Sequence, residues 1–196
     1  MVAAGAHVLA ARPRCDDLPV SSLQPRLLTV GHGTAAADAL AGLLESAGTE
    51  RLVDVRSFPG SRRSPQFRRD ELERWVPAAG IGYRWEQRLG GRRRMAPGSP
   101  NIALRNSSFR GYADYMDSEP FRTALDELLA EALQQVTAMM CAESLWWRCH
   151  RRLIADAAVL LHDVEVRHLG HDGKLSEHQL TEGVRVAADR LVYDGS

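Results

Sequence analysis

The sequence predicts an α/β protein, a single domain with three α/β/α layers around a mostly parallel sheet of about five strands. Short apolar runs of strand length alternate along the chain with longer segments whose apolar residues recur at helical spacing. Strands that alternate with helices pair in parallel through right-handed crossovers, and the helices then cover both faces of the sheet. A length of 196 residues is sufficient for one domain with a sizeable core.

The first elements follow from apolar runs that end in glycine or in polar residues. Residues 27–31 (LLTVG) read as a buried strand, and residues 51–57 (RLVDVRS) read as a second strand that becomes polar where it leaves the core. The helix between them ends at Gly48. Its apolar face consists of Leu40, Leu43, Leu44 and Ala47.

The middle of the chain contains two loops around one helix and one strand. Residues 58–66 are rich in proline, glycine and serine and predict a loop. A helix is expected over about residues 70–79 and a third strand over 81–85. Residues 87–108 form a long polar segment, and loops of that length are usually functional or disordered.

The last third returns to alternating elements, and its tail has a turn at Asp172-Gly173 followed by a predicted short helix. The alternating elements before that turn are helices over 112–116 and about 118–134, a strand over 136–142, a helix over 148–161 and a strand over 165–169.

The amino-terminal residues 1–26 are expected to form a flexible tail before a domain that spans 27–196. No apolar run approaches the roughly 20 residues that cross a bilayer, so no membrane partner is expected. Three cysteines, an odd number, argue against a secreted disulfide scaffold. A cytoplasmic location is the default expectation, and the sequence leaves the oligomeric state open.

The formal charge of zero hides an uneven distribution. Residues 51–94 hold twelve arginines against five acids, whereas residues 111–196 hold eight basic residues against fifteen acids. A basic segment of this kind suits an anionic ligand such as DNA or RNA. The alternative is an arginine-rich composition, since Lys174 is the only lysine.

The functional site is expected where the strands end. In open parallel sheets, ligands bind beyond the carboxyl ends of the strands, at the point where the strand order reverses. The residues at and just past the ends of the predicted strands are 31–33 (GHG), 54–58 (DVRSF) and 141–143 (CAE).

These residues belong to a series of short motifs that run in order from about residue 27 to residue 186. The motifs are residues 29–32 (TVGH), 53–61 (VDVRSFPGS), 65–67 (PQF), 80–83 (GIGY), 89–92 (LGGR), 109–112 (FRGY), 141–143 (CAE) and 149–151 (CHR). Together they resemble the domain-of-unknown-function 488 family; Gly33-Thr34 departs from it, because Ser or Asn is expected after the histidine. The resemblance implies the fold and the place of the site, and it suggests nucleic-acid repair or base processing as a hypothesis.

Four residues are the catalytic candidates: Asp54, Glu143, His32 and Cys141. Two carboxylates beside arginines can divide acid and base work, because neighbouring charges separate their pKa values. His32 can transfer a proton near neutral pH. The alternatives are an ion pair between Asp54 and an arginine, and a capping or loop-anchoring role for His32. Four histidines nearer the carboxyl terminus, His162, His168, His171 and His178, are expected on the surface or in loops.

A larger group is expected to bind the substrate, because arginine supplies charge for phosphate and aromatic rings stack on bases. Solvated loops and core aromatics are the alternative for these residues. They are Arg56, Phe58, Arg62, Arg63, Tyr83, Arg92, Cys149, His150 and Arg151.

The two cysteines near the fourth strand leave three possibilities open. Cys149 opens the predicted helix, where the dipole and nearby arginines lower the pKa of a thiol and so permit a reactive role. Buried packing is the second possibility. Metal binding is the third, but the spacing of Cys141, Glu143, Cys149 and His150 matches no standard zinc motif. We expect neither a metal nor a cofactor, since no nucleotide-binding glycine motif occurs.

These observations predict an enzyme that acts on nucleic acid or on a nucleotide-like base, by hydrolysis or base excision, in a basic crevice. Two alternatives stay open. One is a thiol-dependent or redox-sensing enzyme that uses Cys141 and Cys149. The other is a non-catalytic module that binds an anionic ligand in the same crevice.

Overall fold

A computed structural model describes residues 27–60 and 62–196, so the tail predicted for residues 1–26 lies outside the described residues. The described chain contains five α-helices and eight strands. In chain order they are β1 (Leu27–Gly31), α1 (Ala37–Ser46), β2 (Arg51–Asp54), α2 (Arg69–Ala78), β3 (Gly82–Trp85), α3 (Ser107–Met116), α4 (Glu119–Gln134), β4 (Thr137–Cys141), α5 (Arg151–His162), β5 (Val166–Leu169), β6 (Leu175–Glu177), β7 (Val184–Ala187) and β8 (Arg190–Tyr193).

Six strands form one sheet in the order β3-β2-β4-β1-β5-β6. The first five pair in parallel, and β6 pairs with β5 in the antiparallel direction. Strands β7 and β8 form a separate hairpin. The predicted α/β class with a mostly parallel sheet is confirmed.

The helices cover both faces of the sheet because alternate strand residues are apolar. One face packs Leu28, Leu52 and Met140 against α1 and α2. The opposite face packs Val53 and Met139 against α3, α4 and α5. Consecutive strand residues point to opposite faces, so strands covered on both sides must be almost wholly apolar.

The carboxyl-terminal tail differs from the sequence prediction. The prediction of a short helix after Gly173 is wrong, because this part of the chain forms β6 and the β7–β8 hairpin. Strand β6 gains backbone partners at the open edge of β5, and β8 buries Leu191, Val192 and Tyr193. Pairing with an existing edge and burial against α3 decide the structure here, and neither is visible in local helical spacing.

No helix of the described residues has both the length and the apolar character needed to cross a membrane.

Candidate functional site

The candidate site surrounds the carboxyl end of β4. Its neighbours β1 and β2 both lead into helices on one face of the sheet, α1 and α2, whereas β4 leads into α5 on the opposite face. The connections therefore diverge on both sides of β4. This divergence is the switch point at which ligands bind in open α/β sheets.

A buried ion pair between Asp54 and Arg56 lies at the end of β2. Arg56 Nε donates to Asp54 Oδ1 over 2.8 Å, and Nη2 donates to Oδ2 over 2.6 Å. The Tyr83 hydroxyl also donates to Oδ2, over 3.1 Å; burial, followed by the Asp54 charge, raises the pKa of Tyr83. Asp54 is fully buried and both of its oxygens are engaged, which favours a structural ion pair over a proton-transferring carboxylate.

His32 is held in its neutral form beside this ion pair. Arg56 Nη1 lies 3.2 Å from His32 Nε2. Because a guanidinium can only donate, Nε2 accepts, and Nδ1 carries the proton that it donates to the Gly33 carbonyl oxygen over 3.0 Å. Burial, and then the Arg56 charge, lower the pKa of His32 to about 4. Both nitrogens are engaged, so His32 fixes the position of Arg56.

Cys141, Cys149 and His150 meet on the other side of β2 and β4. His150 Nδ1 lies 3.6 Å from Cys149 Sγ and 3.9 Å from Cys141 Sγ. His150 Nε2 donates to the Val55 carbonyl oxygen over 3.0 Å. The hydrogen bond between the two thiols lowers the pKa of Cys149 and raises that of Cys141. Both cysteines are buried and free.

Arg151 is a buried guanidinium, 1% exposed. Nε donates to Cys149 Sγ over 3.4 Å, Nη1 donates to Thr29 Oγ1 over 3.3 Å, and Nη2 donates to the Glu143 carbonyl oxygen. In the described part of the chain it forms no salt bridge with a carboxylate. A Cβ at Gly31 would overlap the Glu143 oxygen and lie 2.7 Å from Nη2, so glycine is required at that position.

The Glu143 side chain is exposed, two residues beyond the end of β4. Its backbone carbonyl is held by Arg151, which fixes the loop while leaving the carboxylate at the surface. Asp54 ends β2 and Glu143 follows β4, and these two strands are paired. The two carboxylates nevertheless occupy different environments, one at the surface and one in a closed ion pair.

The other predicted binding residues lie on two exposed loops. Phe58 is 69% exposed, and Arg62, Arg63 and Arg92 are exposed as well. Ser57 Oγ donates to the Gly91 carbonyl oxygen, which joins the loop after β2 to the loop after β3. Phe58 and Arg92 each adjoin one end of that hydrogen bond.

A series of buried side chains joined by hydrogen bonds extends from Arg151, and the sequence did not predict it. Thr29 Oγ1 lies 2.7 Å from His168 Nδ1, His168 Nε2 lies 3.0 Å from His178 Nδ1, and His178 Nε2 lies 2.9 Å from Asp156 Oδ1. Every hydrogen has an acceptor when all groups donate in the same direction, from Arg151 towards the Asp156 carboxylate. The chain therefore joins a buried cation to a buried anion.

The expectation that His168 is a surface or loop residue is wrong, because it is buried on β5. His178 lies in the loop after β6 as expected, but its side chain is buried. Burial, and then the charges of His178 and Arg151, lower the pKa of His168 to about 3. Trp146 stacks on the His168 ring with centroids 4.0 Å apart. One signal in the sequence was available: Val166 and His168 alternate with the exposed Arg167 on β5, which places the histidine on the inward side.

The predicted site residues thus form two contact groups and one exposed rim. His32, Asp54, Arg56 and Tyr83 form the first group, and Cys141, Cys149, His150 and Arg151 form the second. The hydrogen bond from His150 to the Val55 carbonyl oxygen joins the second group to the segment between Asp54 and Arg56 of the first. The rim consists of Phe58, Arg62, Arg63, Arg92 and Glu143.

Comparison with known proteins gives one result about the family. No match was found among curated proteins or among solved structures. A family model described as "Domain of unknown function DUF488" matches residues 36–158. That range is more than half of the chain and includes the ends of β2 and β4. The chain therefore belongs to the DUF488 family.

Proposed function

We propose that this DUF488 protein is a hydrolytic enzyme that binds nucleic acid or a nucleotide-like base at the rim beyond β2, β3 and β4. The proposal depends mainly on the Ser57–Gly91 hydrogen bond, which joins the loop that carries the exposed Phe58 to the loop that carries the exposed Arg92. An aromatic face and a cation in neighbouring loops fit a base and its phosphate.

The charges of the rim support an anionic ligand. Arg62 and Arg92 have no carboxylate partner among residues 27–60 and 62–196. Other arginines of the basic segment do have one: Arg69 pairs with Glu73, and Arg88 with Glu86. Two positive charges that no acid of the described chain neutralises are thus concentrated where the strands end, which favours phosphate binding.

Glu143 is the carboxylate that we propose for the hydrolytic step. Unlike Asp54, it is exposed, and Arg151 fixes the backbone that carries it. In this role Glu143 takes a proton from the water whose oxygen attacks the scissile bond, and as that bond breaks the proton passes to the leaving group, while the arginines hold the phosphates. A cytoplasmic location is part of the proposal, because a reducing compartment keeps Cys141 and Cys149 as thiols.

Binding is tested by fluorescence anisotropy with labelled single-stranded and double-stranded oligonucleotides over a series of salt concentrations. Removal of one phosphate contact in Arg92→Gln or Arg62→Gln reduces the slope of log affinity against log salt by about 0.7 to 0.9. Phe58→Ala weakens binding of single strands by about 1–3 kcal/mol. Binding that is absent or independent of salt would contradict the proposal.

Matched controls distinguish the rim from the general surface. Arg122→Gln removes a charge on α4 that pairs with Asp189 and leaves the salt slope unchanged. Ile102→Ala removes an apolar side chain that is 62% exposed outside the rim and leaves affinity unchanged. Equal losses in the control and rim variants would count against a site at the rim.

Catalysis is tested with oligonucleotides that carry damaged or mismatched bases, by following base release and strand cleavage. Glu143→Gln retains binding and loses product formation. If the wild-type protein binds every oligonucleotide and processes none of them, the protein is a non-catalytic binding module.

A further inference from the structure

Cys141, Cys149 and His150 place three metal-binding atoms together. Cys141 Sγ, Cys149 Sγ and His150 Nδ1 all lie within 4.8 Å of one another. Cys141 ends β4, and the other two residues immediately precede α5. The three ligands therefore come from the two ends of one short connection, at the switch point of the sheet.

The separations match those of a tetrahedral zinc site. With Zn–S bonds of about 2.3 Å and Zn–N bonds of about 2.0–2.1 Å, tetrahedral angles place sulfur and nitrogen about 3.6 Å apart. His150 Nδ1 lies 3.6 Å from one sulfur and 3.9 Å from the other. An ion can therefore bind His150 Nδ1 and either sulfur with shifts of a few tenths of an ångström, and the two sulfurs lie within 4.8 Å of each other.

The surrounding hydrogen bonds orient the ligands as in known zinc sites. His150 donates its Nε2 proton to the Val55 carbonyl oxygen, which leaves the lone pair of Nδ1 directed at the sulfurs. A histidine that binds a metal almost always donates its second ring N–H in this way. Arg151 Nε donates to Cys149 Sγ over 3.4 Å, so this sulfur acts as an acceptor, as a metal-bound thiolate does.

The loop above the cluster leaves room for the imidazole ring. A Cβ at Gly91 would lie 3.0 Å from His150 Nδ1 and 3.3 Å from Cγ, so it would press on the face of the ring. Glycine at this position therefore lets His150 keep the orientation that directs Nδ1 at the sulfurs.

We propose that Cys141, Cys149 and His150 bind Zn²⁺. Two thiolates and one imidazole are ligands that zinc prefers, and three protein ligands leave a fourth position for water or substrate. The sequence predicts no metal at this position, because the spacing of these residues matches no standard zinc motif. The zinc site does not depend on nucleic-acid binding, since its ligands are separate from Phe58, Arg62 and Arg92.

The test uses the full-length chain, expressed with zinc in the medium and purified under reducing conditions without chelator. Elemental analysis is expected to give about one zinc per chain. After zinc is removed and replaced by Co²⁺, sulfur-to-cobalt charge transfer and tetrahedral ligand-field bands are expected in the absorption spectrum. Chelator abolishes both signals, and added Co²⁺ restores them.

Variants identify the ligands. Cys141→Ser, Cys149→Ser and His150→Gln each lower metal affinity by more than about 10-fold, the smallest effect typical of groups that only orient a ligand. His162→Gln is the matched control for His150→Gln and retains the metal. Circular dichroism confirms that each variant is folded, and the cobalt spectrum of the wild type tests the proposal without any substitution.

Two results would overturn the proposal. The first is reduced wild-type protein that takes up Co²⁺ without sulfur charge transfer, or takes up none. The second is a Cys141–Cys149 disulfide, found by mass spectrometry in protein purified without air, with no metal bound after reduction; this result would support the thiol-dependent alternative. Oligonucleotide binding is measured separately, so its failure leaves the zinc result unaffected.

Discussion

Arg56 donates to both carboxylate oxygens of Asp54, two residues earlier in the chain, and the pair is buried at the end of β2. Arg56 also donates to the Phe67 carbonyl oxygen over 2.8 Å and contacts His32. A single guanidinium thus fixes a strand end, the loop before α2 and the residue after β1.

Asp54→Asn is expected to destabilise the protein by about 3–5 kcal/mol, because it leaves the buried charge of Arg56 without its partner. Urea unfolding measures this loss. Glu73→Gln, which breaks the exposed pair with Arg69, is the control and costs at most about 1 kcal/mol. Equal effects of the two substitutions would show that the Asp54–Arg56 pair is not the structural element described here.

Gly31→Ala is expected to destabilise the fold by about 1–3 kcal/mol, since the added methyl group would overlap the Glu143 carbonyl oxygen and press on Arg151. Gly42→Ala in α1 is the matched control. No atom lies within 4 Å of a Cβ at Gly42, so alanine there is expected to stabilise the helix by about 0.5–1 kcal/mol. Opposite signs in urea unfolding are the expected outcome, and a neutral Gly31→Ala would contradict the close packing.

Thr29→Val removes the hydroxyl group between Arg151 and His168 while nearly preserving the side-chain volume. Both neighbours lose a buried hydrogen-bond partner, so a loss of about 1–3 kcal/mol is expected in thermal or urea unfolding. Thr123→Val on the exposed side of α4 is the control and changes stability by less than about 0.5 kcal/mol. A Thr29 variant as stable as this control would argue against the hydrogen-bonded chain.

Stability is expected to fall as the pH drops below 6.5, in part because of His168. Its pKa is 6.5 in an ordinary setting and about 3 in the folded protein, where burial, His178 and Arg151 disfavour the charged form. The unfolded chain therefore binds a proton that the folded chain excludes. The His168 contribution is fully present above pH 6.5 and is lost as the pH falls towards 3.

A single such group changes the free energy of unfolding by about 1.4 kcal/mol per pH unit. Urea unfolding between pH 5.5 and pH 4, a range below the ordinary pKa and above the folded one, measures the slope. His168→Gln is expected to reduce that slope by about 1.4 kcal/mol per pH unit, whatever the effect of the substitution on stability at pH 7. Identical slopes for the wild type and the variant would show that His168 becomes protonated in the folded protein.

The sequence was sufficient to predict that the ends of β1, β2 and β4 meet at one edge of the sheet, because that inference needs only the strands and their parallel order. Glycine and polar residues mark the ends of β1, β2 and β4, and the parallel order then brings them to one edge. The sequence could not show that both carboxylate oxygens of Asp54 accept hydrogen bonds from Arg56 and Tyr83, because an ion pair and a catalytic carboxylate use the same residue types. Only the positions of the partner atoms distinguish them.

The features that the sequence did not predict depend on contacts between residues far apart in the chain. Thr29 and His168 are 139 residues apart, and no local pattern joins them. The spacing of Cys141, Glu143, Cys149 and His150 matches no standard zinc motif, so the sequence does not predict the proposed zinc site. Whether adjacent residues can bind one ion depends on the backbone turn before α5.

The central position of β1 affects which segment of the chain can fold by itself. The family match covers residues 36–158, yet β1 lies between β4 and β5 in the middle of the sheet. A protein fragment cut to the matched residues would lack this strand and would leave the flank of β4 without its backbone partners. Expression of a shortened form should therefore start no later than Leu27, and it should retain His178, which binds Asp156 on α5.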